Sequence, residues 1–324
     1  MRKSIIFFFV VVTIFTSGFS QKSFDFRFWE DSLIRLRQEV LTAPSESKRL
    51  ALNEDFMTLL ESVIEEPNSF KFKWDSVKNF SIVTSPDNLI RIFTWDIFKD
   101  NRNIENFGFV QINDGGKQYN SSRKKYSIFP LYDKRHLIDY PESFIGNHSM
   151  WYGAIYYKII PITNNNKTYY TLLGFNGNNL FTNQKLIEVL HLKNEKPVFG
   201  AKIFKNFPSG KASRIILEYN KEATLSLKYE RQSYDKGTGK RDIKTKRVIF
   251  ESVEADMIIF DQLIPMDESM PNIPAFMVPE SSLNQGFVSE DGKWLFVPKV
   301  NGRNPDVEQK PHQIKQRDFY RPPN

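Results

Sequence analysis

The sequence predicts a mainly β protein, built from antiparallel meanders and preceded by an α-helical hairpin. From residue 70 onward, runs of five to nine residues rich in Phe, Tyr, Ile and Val alternate with short turn clusters. Such short connections favour antiparallel hairpins, because parallel strands need crossover segments for which there is little sequence between the runs. Before residue 70, apolar residues instead recur at steps of three and four, which is the period of an amphipathic helix.

The first 20 residues have the three parts of a secretory signal peptide. Arg2 and Lys3 form the basic start, residues 5–15 are almost continuously apolar, and Gly18 and Ser20 stand at −3 and −1 of a cleavage site. The apolar run is shorter than the roughly 20 residues of a transmembrane helix, although an uncleaved membrane anchor is the alternative. We therefore expect export to the periplasm or the cell surface, with no transmembrane segment after signal cleavage.

Residues 21–69 are predicted to form a helical hairpin that packs on the main domain. Pro44 and Ser45 separate two apolar stripes, and Pro67 ends the second stripe. The stripes consist of Phe26, Trp29, Leu33, Leu36 and Val40, and of Leu52, Phe56, Leu59 and Val63. Each stripe lies on one helical face, so the hairpin has one apolar side. That side would pack on the β domain or, alternatively, would be the surface that binds a partner.

Residues 70–300 are predicted to form the antiparallel β domain. The strand candidates are 79–84, 89–98, 107–112, 126–132, 151–162, 168–175, 185–192, 198–204, 214–219, 223–230, 245–253, 257–264 and a hairpin within 287–300. Three groups of about four strands recur at intervals of roughly 60–70 residues, which favours a propeller-like arrangement. A β-sandwich or barrel made of the same hairpins is the alternative.

Two further segments of the chain are predicted to be irregular. Residues 265–284 contain four prolines and are expected to cross the molecule without forming a strand. Residues 301–324 are polar and basic, and we expect them to be a disordered tail.

Composition limits the chemistry that the protein can perform. The chain contains no cysteine, which excludes disulfides, thiolate metal sites and a cysteine nucleophile. The net charge is +7 and would be +5 without Arg2 and Lys3. The densest basic run contains Lys236, Lys240, Arg241, Lys244, Lys246 and Arg247. This run is interpreted as a solvated hairpin tip, with a polyanion or lipopolysaccharide contact as the alternative, and nucleic acid is not expected as a partner.

The sequence carries no recognisable catalytic motif. It lacks a Gly-x-Ser-x-Gly elbow, a His-Glu-x-x-His motif, an EF-hand loop and a P-loop, so we predict no catalytic residues, no metal site and no cofactor. His136 lies in a polar stretch with Asp139 and Glu142, where an acid/base site is conceivable. The candidate binding residues are Trp95, Asp96, His136, Trp151, Tyr152, Asn176 and Asn178.

The segment 172–190, LLGFNGNNLFTNQKLIEVL, combines two glycines with a cluster of asparagines between apolar runs. It lacks the Lys-Ser/Thr pair of a phosphate loop and the third glycine of a dinucleotide fingerprint. Asn176 and Asn178 offer neutral oxygens, whereas calcium sites use carboxylates. Gly and Asn tolerate positive φ, so the segment is interpreted mainly as a tight connection. The residues that follow fit a helix at 184–190 or a strand equally well.

Six stretches of the β domain carry a family resemblance. They are WYGAIYYKII at 151–160, YYTLLGFNGNN at 169–179, KLIEVL at 185–190, PVFG at 197–200, DNLIRIFTWD at 87–96 and FMVP at 276–279. On these stretches the chain resembles a family of uncharacterised exported proteins of Bacteroidetes-type bacteria, over about residues 70–300. The resemblance implies export and a common β-rich fold, and it implies no catalytic activity. Members often have an acidic residue at the position of Asn176, which argues against a cation role for Asn176.

These observations favour an exported envelope protein that is a non-catalytic binding or structural protein. Its partner would be another envelope protein or a glycan, because the chain is rich in aromatic residues and lacks catalytic motifs. The alternative is a periplasmic or secreted hydrolase of glycan or peptide, with carboxylates supplied by loops. Trp95-Asp96 and residues 136–142 are the first places to seek such carboxylates.

Overall fold

The computed structural model of the protein describes residues 24–117 and 125–301. The predicted signal peptide at residues 1–20 lies outside the described residues, and so does the predicted basic tail beyond Asn301. The described chain begins with two helices and continues as sheets that are almost wholly antiparallel. The predicted fold class, mainly β with antiparallel meanders and an N-terminal helical hairpin, is confirmed.

The helical hairpin consists of α1 at Phe26–Thr42 and α2 at Glu46–Glu65. Asp25 and Ser45 cap the two helix starts, since the side chain of each accepts a hydrogen bond from the backbone N–H three residues further on. The fully buried positions are Glu30, Leu33, Arg37, Val40, Asn53, Phe56, Leu60, Val63 and Ile64. The buried side of the hairpin is therefore partly polar, which the apolar stripes did not predict.

Fifteen strands follow in the described part of the chain. In order they are β1 Ser81–Thr84, β2 Ile90–Phe98, β3 Ile104–Ile112, β4 Ser127–Tyr132, β5 Gly146–Asn147, β6 Ile155–Asn164, β7 Lys167–Asn176, β8 Thr182–Lys193, β9 Lys196–Phe199, β10 Phe204–Lys205, β11 Ile215–Asn220, β12 Leu227–Arg241, β13 Val248–Pro265, β14 Met277–Glu290 and β15 Lys293–Asn301. The segment at 184–190, which fitted a helix or a strand, lies within strand β8.

The strands form three sheets that largely follow one another along the chain; the exception is β10, which pairs in parallel with β15 of the third sheet although β11 belongs to the second. The first sheet is the meander β1-β2-β3-β4. The second sheet has the order β5-β9-β8-β7-β6, and β11 pairs with the first half of β8. In the third sheet β12, β13 and β14 are neighbours in sequence, and β15 pairs with both β14 and β12. Short turns connect most neighbours, as expected for meanders.

The third sheet corrects two predictions. Residues 245–253 and 257–264 were expected to be separate strands, but β13 is a single strand of 18 residues. Residues 265–284 were expected to be irregular, yet β14 begins at Met277 and pairs with the end of β13. Pro279 is tolerated there because β15 pairs only with residues 284–290 of β14, so the start of β14 is a sheet edge.

The sheets stack face to face, with the helical hairpin on the outside of the first sheet. Strand β2 shows how the layers form: Ile90 and Ile92 face the second sheet, whereas Phe93 and Trp95 face the helices. The second sheet likewise packs on the third through its opposite face. Strands in the middle of this stack are buried on both faces, which explains why their sequences are apolar without alternation.

Candidate functional site

Trp95 and Asp96 lie in β2 beneath the helical hairpin. Trp95 is 1% exposed, and its indole N–H donates a hydrogen bond to Asn53 Oδ1 at 2.7 Å. Burial raises the pKa of the Asp96 carboxyl, while the charge of Arg37, whose Nη2 lies 3.5 Å from Asp96 Oδ1, opposes that rise. Arg37 also donates to the backbone carbonyls of Asn79 and Asp96. These groups therefore hold the hairpin onto the sheet.

Trp151 and Tyr152 are core residues between the first and second sheets. Trp151 is fully buried, and its indole N–H donates to the Tyr156 hydroxyl at 2.8 Å. The Tyr152 hydroxyl donates to Gln184 Oε1 at 3.2 Å, and burial raises the pKa of Tyr152 to about 12. The aromatic run 151–156 therefore fills the core, and its rings do not line a groove.

Asn176 and Asn178 form a tight turn between β7 and β8. The buried Asn176 amide donates to the Gly153 carbonyl at 2.7 Å, and its Oδ1 accepts from Asn178 N at 2.7 Å. Asn178 has φ +45°, and its amide donates to the side chains of Thr182 and Glu218. Both asparagines thus have protein partners and act as turn residues, as the glycine-asparagine pattern predicted.

His136 is exposed and lines a small pocket, which we call the Asp133 pocket. Its volume is about 290 Å³, and its lining residues are Lys99, Asn101, Asn103, Ile104, Glu105, Asp133, Lys134, Arg135 and His136. Asp133 lies at its base with a side chain only 4% exposed. Burial is the main cause that raises the pKa of Asp133, and it outweighs the charge of Arg135 and the hydrogen bonds of Asn106.

The carboxylates of the Asp133 pocket already have partners. Asp133 Oδ2 accepts hydrogen bonds from Asn106 N and Nδ2, both at 3.1 Å, and Oδ1 accepts from Arg135 N. Glu105 Oε2 lies 3.1 Å from Lys99 Nζ. A buried carboxyl with a raised pKa beside a histidine is the kind of group that can transfer protons. Its hydrogen bonds equally explain it as the anchor of the turn after β4.

A groove of about 750 Å³ lies beside β1. Its lining residues are Phe70, Lys71, Phe72, Lys73, Trp74, Asp75, Ile82, Thr84, Asn88, Arg91, Asn113 and Tyr126, and we call it the aromatic groove. One wall is the segment 70–75, which follows α2, and the opposite wall comes from the first sheet. Its volume is within the range of small-ligand sites, roughly 300–1,000 Å³.

Arg91 fixes the wall of the aromatic groove. Its guanidinium donates to the backbone carbonyls of Ser69 and Phe70 at 3.0 and 2.7 Å, and to Thr84 Oγ1 at 2.9 Å. The same group lies 4.5 Å from the centre of the Phe70 ring. Burial lowers the pKa of Arg91 to about 10, so Arg91 is still charged at neutral pH. Segment 70–75 is therefore tied to β2 before any ligand binds.

The aromatic rings of the groove support one another in a chain. The Phe72 ring stacks on Phe26 at 5.2 Å and meets Trp74 edge to face at 5.2 Å, and Trp74 meets Phe93 at 5.7 Å. Phe72 and Trp74 are half-buried, so part of each ring faces solvent. Rings held by their neighbours lose little rotamer freedom on binding, which favours a preformed apolar surface.

The indole N–H of Trp74 is the one group of the groove that clearly needs an acceptor. Trp74 Nε1 is buried and has no hydrogen-bond partner in the described protein. Tryptophan can only donate, and an unpaired buried donor costs about 1–3 kcal/mol. A ligand oxygen or a water molecule would satisfy it. At the rim of the groove lie the exposed side chains of Lys71, Lys73, Asn88 and Asn113.

The structure separates the predicted site residues from the groove. None of the seven candidates lines the groove, and His136 is the one of them that lines the Asp133 pocket. The missed residues carry a sequence signal nonetheless: FKFKWD at 70–75 alternates aromatic and charged residues directly after a helix. In residues 24–117 and 125–301, no three His, Asp or Glu side chains converge in an arrangement that could hold a metal ion.

Comparisons of the chain with protein-family models, with curated proteins and with solved structures found no match. The resemblance to exported Bacteroidetes-type proteins therefore stays a prediction. None of the described helices combines the length and the hydropathy that crossing a membrane requires.

Proposed function

We propose that this protein is an exported, non-catalytic binding protein of the cell envelope that holds a glycan in the aromatic groove. The observation that carries the proposal is Trp74, a half-buried ring whose buried N–H has no acceptor among residues 24–117 and 125–301. Sugar rings offer apolar C–H faces that can pack on Phe72 and Trp74, and hydroxyl oxygens that can accept from the indole. Export rests on the signal-peptide pattern of residues 1–20.

The rim of the groove favours a glycan with acidic groups. Lys71 and Lys73 are exposed beside the aromatic rings, and Arg91 adds a buried positive charge to the wall. Asp75 is the one acid among the lining residues, so the positive charges outnumber it. Asn88 and Asn113 supply amide donors and acceptors of the kind that sugar hydroxyls require. Carboxylate or phosphate groups on the glycan would pair with the lysines at the rim, and salt would weaken that part of the binding.

A glycan array followed by calorimetry tests the proposal. We expect the wild type to bind at least one oligosaccharide, and Trp74→Phe, which keeps a ring but removes the N–H, to bind it about three- to tenfold more weakly. Trp29→Phe is the matched control, because Trp29 is half-buried and does not line the groove. A flat array, or equal affinities of wild type and Trp74→Phe, would contradict the proposal. If the wild type instead captures an envelope protein, and Trp74→Phe binds that protein more weakly, the partner of the groove is a protein.

A hydrolase is the second candidate function, and the Asp133 pocket is the feature that favours it. Asp133 and Glu105 line the same pocket as His136, and burial raises the pKa of the Asp133 carboxyl. A carboxyl whose pKa is raised by burial is a candidate general acid. The test is hydrolysis of glycan and peptide substrates by the wild type and by Glu105→Gln. The hydrolase is favoured over the binding protein if the wild type hydrolyses a substrate and Glu105→Gln does not, while both have the same thermal stability.

A further inference from the structure

The hairpin of β12 and β13 extends beyond the third sheet as a two-stranded arm, whose base is held to β14 by the ion pair Lys236–Glu290 at 3.6 Å. We define the arm as residues 235–252. None of these residues is buried, whereas Tyr234 and Met257 at its base are core residues. The seven residues from Asp235 to Arg241 span about 20 Å at 3.3 Å per residue. A two-stranded ribbon without a packed face is only marginally stable in water, so its length calls for an explanation other than core packing.

The far end of the arm is strongly cationic. Residues 240–247 contain five basic side chains and one acid, which leaves a net charge of +4. That acid, Asp242, is used by the turn itself: its Oδ1 accepts from Lys244 N at 3.0 Å, and from Thr245 N and Oγ1 at 2.6 and 2.9 Å. These hydrogen bonds lower the pKa of Asp242. The turn is therefore ordered, and the five basic groups are Lys240, Arg241, Lys244, Lys246 and Arg247.

The same end of the arm exposes apolar side chains. Ile243, at the tip, is 85% exposed, and Phe250 is 61% exposed. Val248 and Ile249 are exposed beside Phe250, and Gly237 pairs opposite Phe250 with no side chain to cover it. Apolar groups gathered on an extended arm are unfavourable in water unless a partner covers them.

We propose that this arm binds an anionic lipid surface, with its basic groups at the headgroups and Ile243 and Phe250 in the acyl boundary. Basic and apolar side chains on one amphipathic element are the combination that interfacial binding needs, since charge attracts the element and apolar area holds it there. A nucleic acid would use the charges but leaves Ile243 uncovered. A lipid surface therefore explains both the basic and the apolar side chains of the arm. The exposed Ile243 at the tip favours lipid over nucleic acid.

Vesicle co-sedimentation tests the proposal with residues 21–324, which contain the whole described structure and omit the apolar N-terminal segment. We expect binding to vesicles of phosphatidylglycerol and phosphatidylcholine, and little binding to pure phosphatidylcholine. Each basic group near an anionic surface raises partitioning about fivefold, so Lys244→Gln/Lys246→Gln should weaken binding about 25-fold. Ile243→Ser/Phe250→Ser should weaken it at least about tenfold.

The control variant is Lys202→Gln/Lys211→Gln, which removes two exposed basic groups from a region outside the arm. It should retain binding within about twofold. Equal binding by the wild type and Ile243→Ser/Phe250→Ser would overturn the proposal, and so would wild-type binding to a DNA duplex that exceeds its binding to anionic vesicles. Absence of binding to anionic vesicles at low salt would overturn it as well. All four substituted positions of the arm are exposed, so circular dichroism should show an unchanged fold.

Discussion

Replacing Arg214 by methionine should destabilise the protein more than any surface substitution. Arg214 and Glu188 form an ion pair with Nε and Oε2 2.8 Å apart, and both side chains are fully buried. Arg214 also donates to the carbonyls of Pro141 and Phe144, which attaches the loop after β4 to the second sheet. The substitution leaves the Glu188 charge buried without its partner, which costs about 3–5 kcal/mol.

The size of the effect can be checked by urea unfolding and by calorimetry. For a domain of this size, 1 kcal/mol corresponds to about 2 °C, so the melting temperature of Arg214→Met should fall by about 6–10 °C. Burial already raises the pKa of Glu188 in the wild type. In Arg214→Met, stability should therefore increase as the pH is lowered toward the ordinary pKa of glutamate, because protonation removes the unpaired charge.

The double variant Glu188→Leu/Arg214→Met measures the coupling energy between Glu188 and Arg214 apart from their other contacts. Removing both charges should recover at least about 2 kcal/mol relative to Arg214→Met, because no unpaired charge remains. A loss below about 1 kcal/mol in Arg214→Met would refute the reasoning. Losses that simply add in the double variant would refute it too, since independent sites have no coupling energy.

Two further predictions concern single positions. Gly153 and Gly115 both have φ near +80°, but only a Cβ at position 153 would overlap the Asp133 carboxylate. Gly153→Ala should therefore lower the free energy of unfolding by at least about 3 kcal/mol, and Gly115→Ala by about 1–2 kcal/mol. Equal losses in urea titrations would contradict this. Burial, and secondly two neighbouring lysines, lower the pKa of His191 to about 4. The unfolded histidine binds a proton near pH 6.5, so the wild type should lose stability between about pH 6.5 and 4, and His191→Phe should lose less. Parallel pH profiles would disprove the assignment.

The helices show which part of the fold could be predicted from the sequence. The spacing of apolar residues and the positions of the prolines predicted both helices correctly. Leu33 and Phe56 lie on the buried side as expected. The stripe did not predict that Arg37 and Asn53 are buried, because their partners lie 42 to 59 residues away. Asn53 is buried in place of the half-buried Leu52, since the indole of Trp95 needs an acceptor at that position.

For the strands too, the local sequence pattern predicted what depends on neighbouring residues but not what depends on pairing with distant ones. Turn clusters correctly separated most strands of the first two sheets. The candidate strand 198–204 was wrong, because β9 ends at Phe199 in the second sheet and β10 begins at Phe204 in the third sheet. In the third sheet, residues 254–256 were left between two predicted strands, whereas the structure has one continuous strand there. Arg231 pairs opposite Asp256 across the ladder, and long pairing with β12 keeps β13 continuous. That pairing depends on a register that periodicity alone does not reveal.

The candidate site was predicted poorly for a physical reason. Aromatic residues such as Trp95 and Trp151 are conspicuous in the sequence, but strands between two layers bury both faces and use these rings in the core. The aromatic rings Phe72 and Trp74 of the groove lie outside the regular elements, in segment 70–75. Their orientation depends on hydrogen bonds from Arg91, about 20 residues further along the chain. The alternating FKFKWD pattern marks the segment but does not reveal that its rings face a cavity.

The indole N–H resonances of the protein test the central claim most directly. The chain has five tryptophans, and in the structure Trp74 lacks an acceptor, whereas Trp95, Trp151 and Trp294 have one. Titration with a glycan selected on the array should shift the Trp74 indole resonance, assigned with Trp74→Phe, and leave those three unchanged. Glycan binding without a shift of the Trp74 resonance, or with shifts confined to other indoles, would contradict the groove as the binding site.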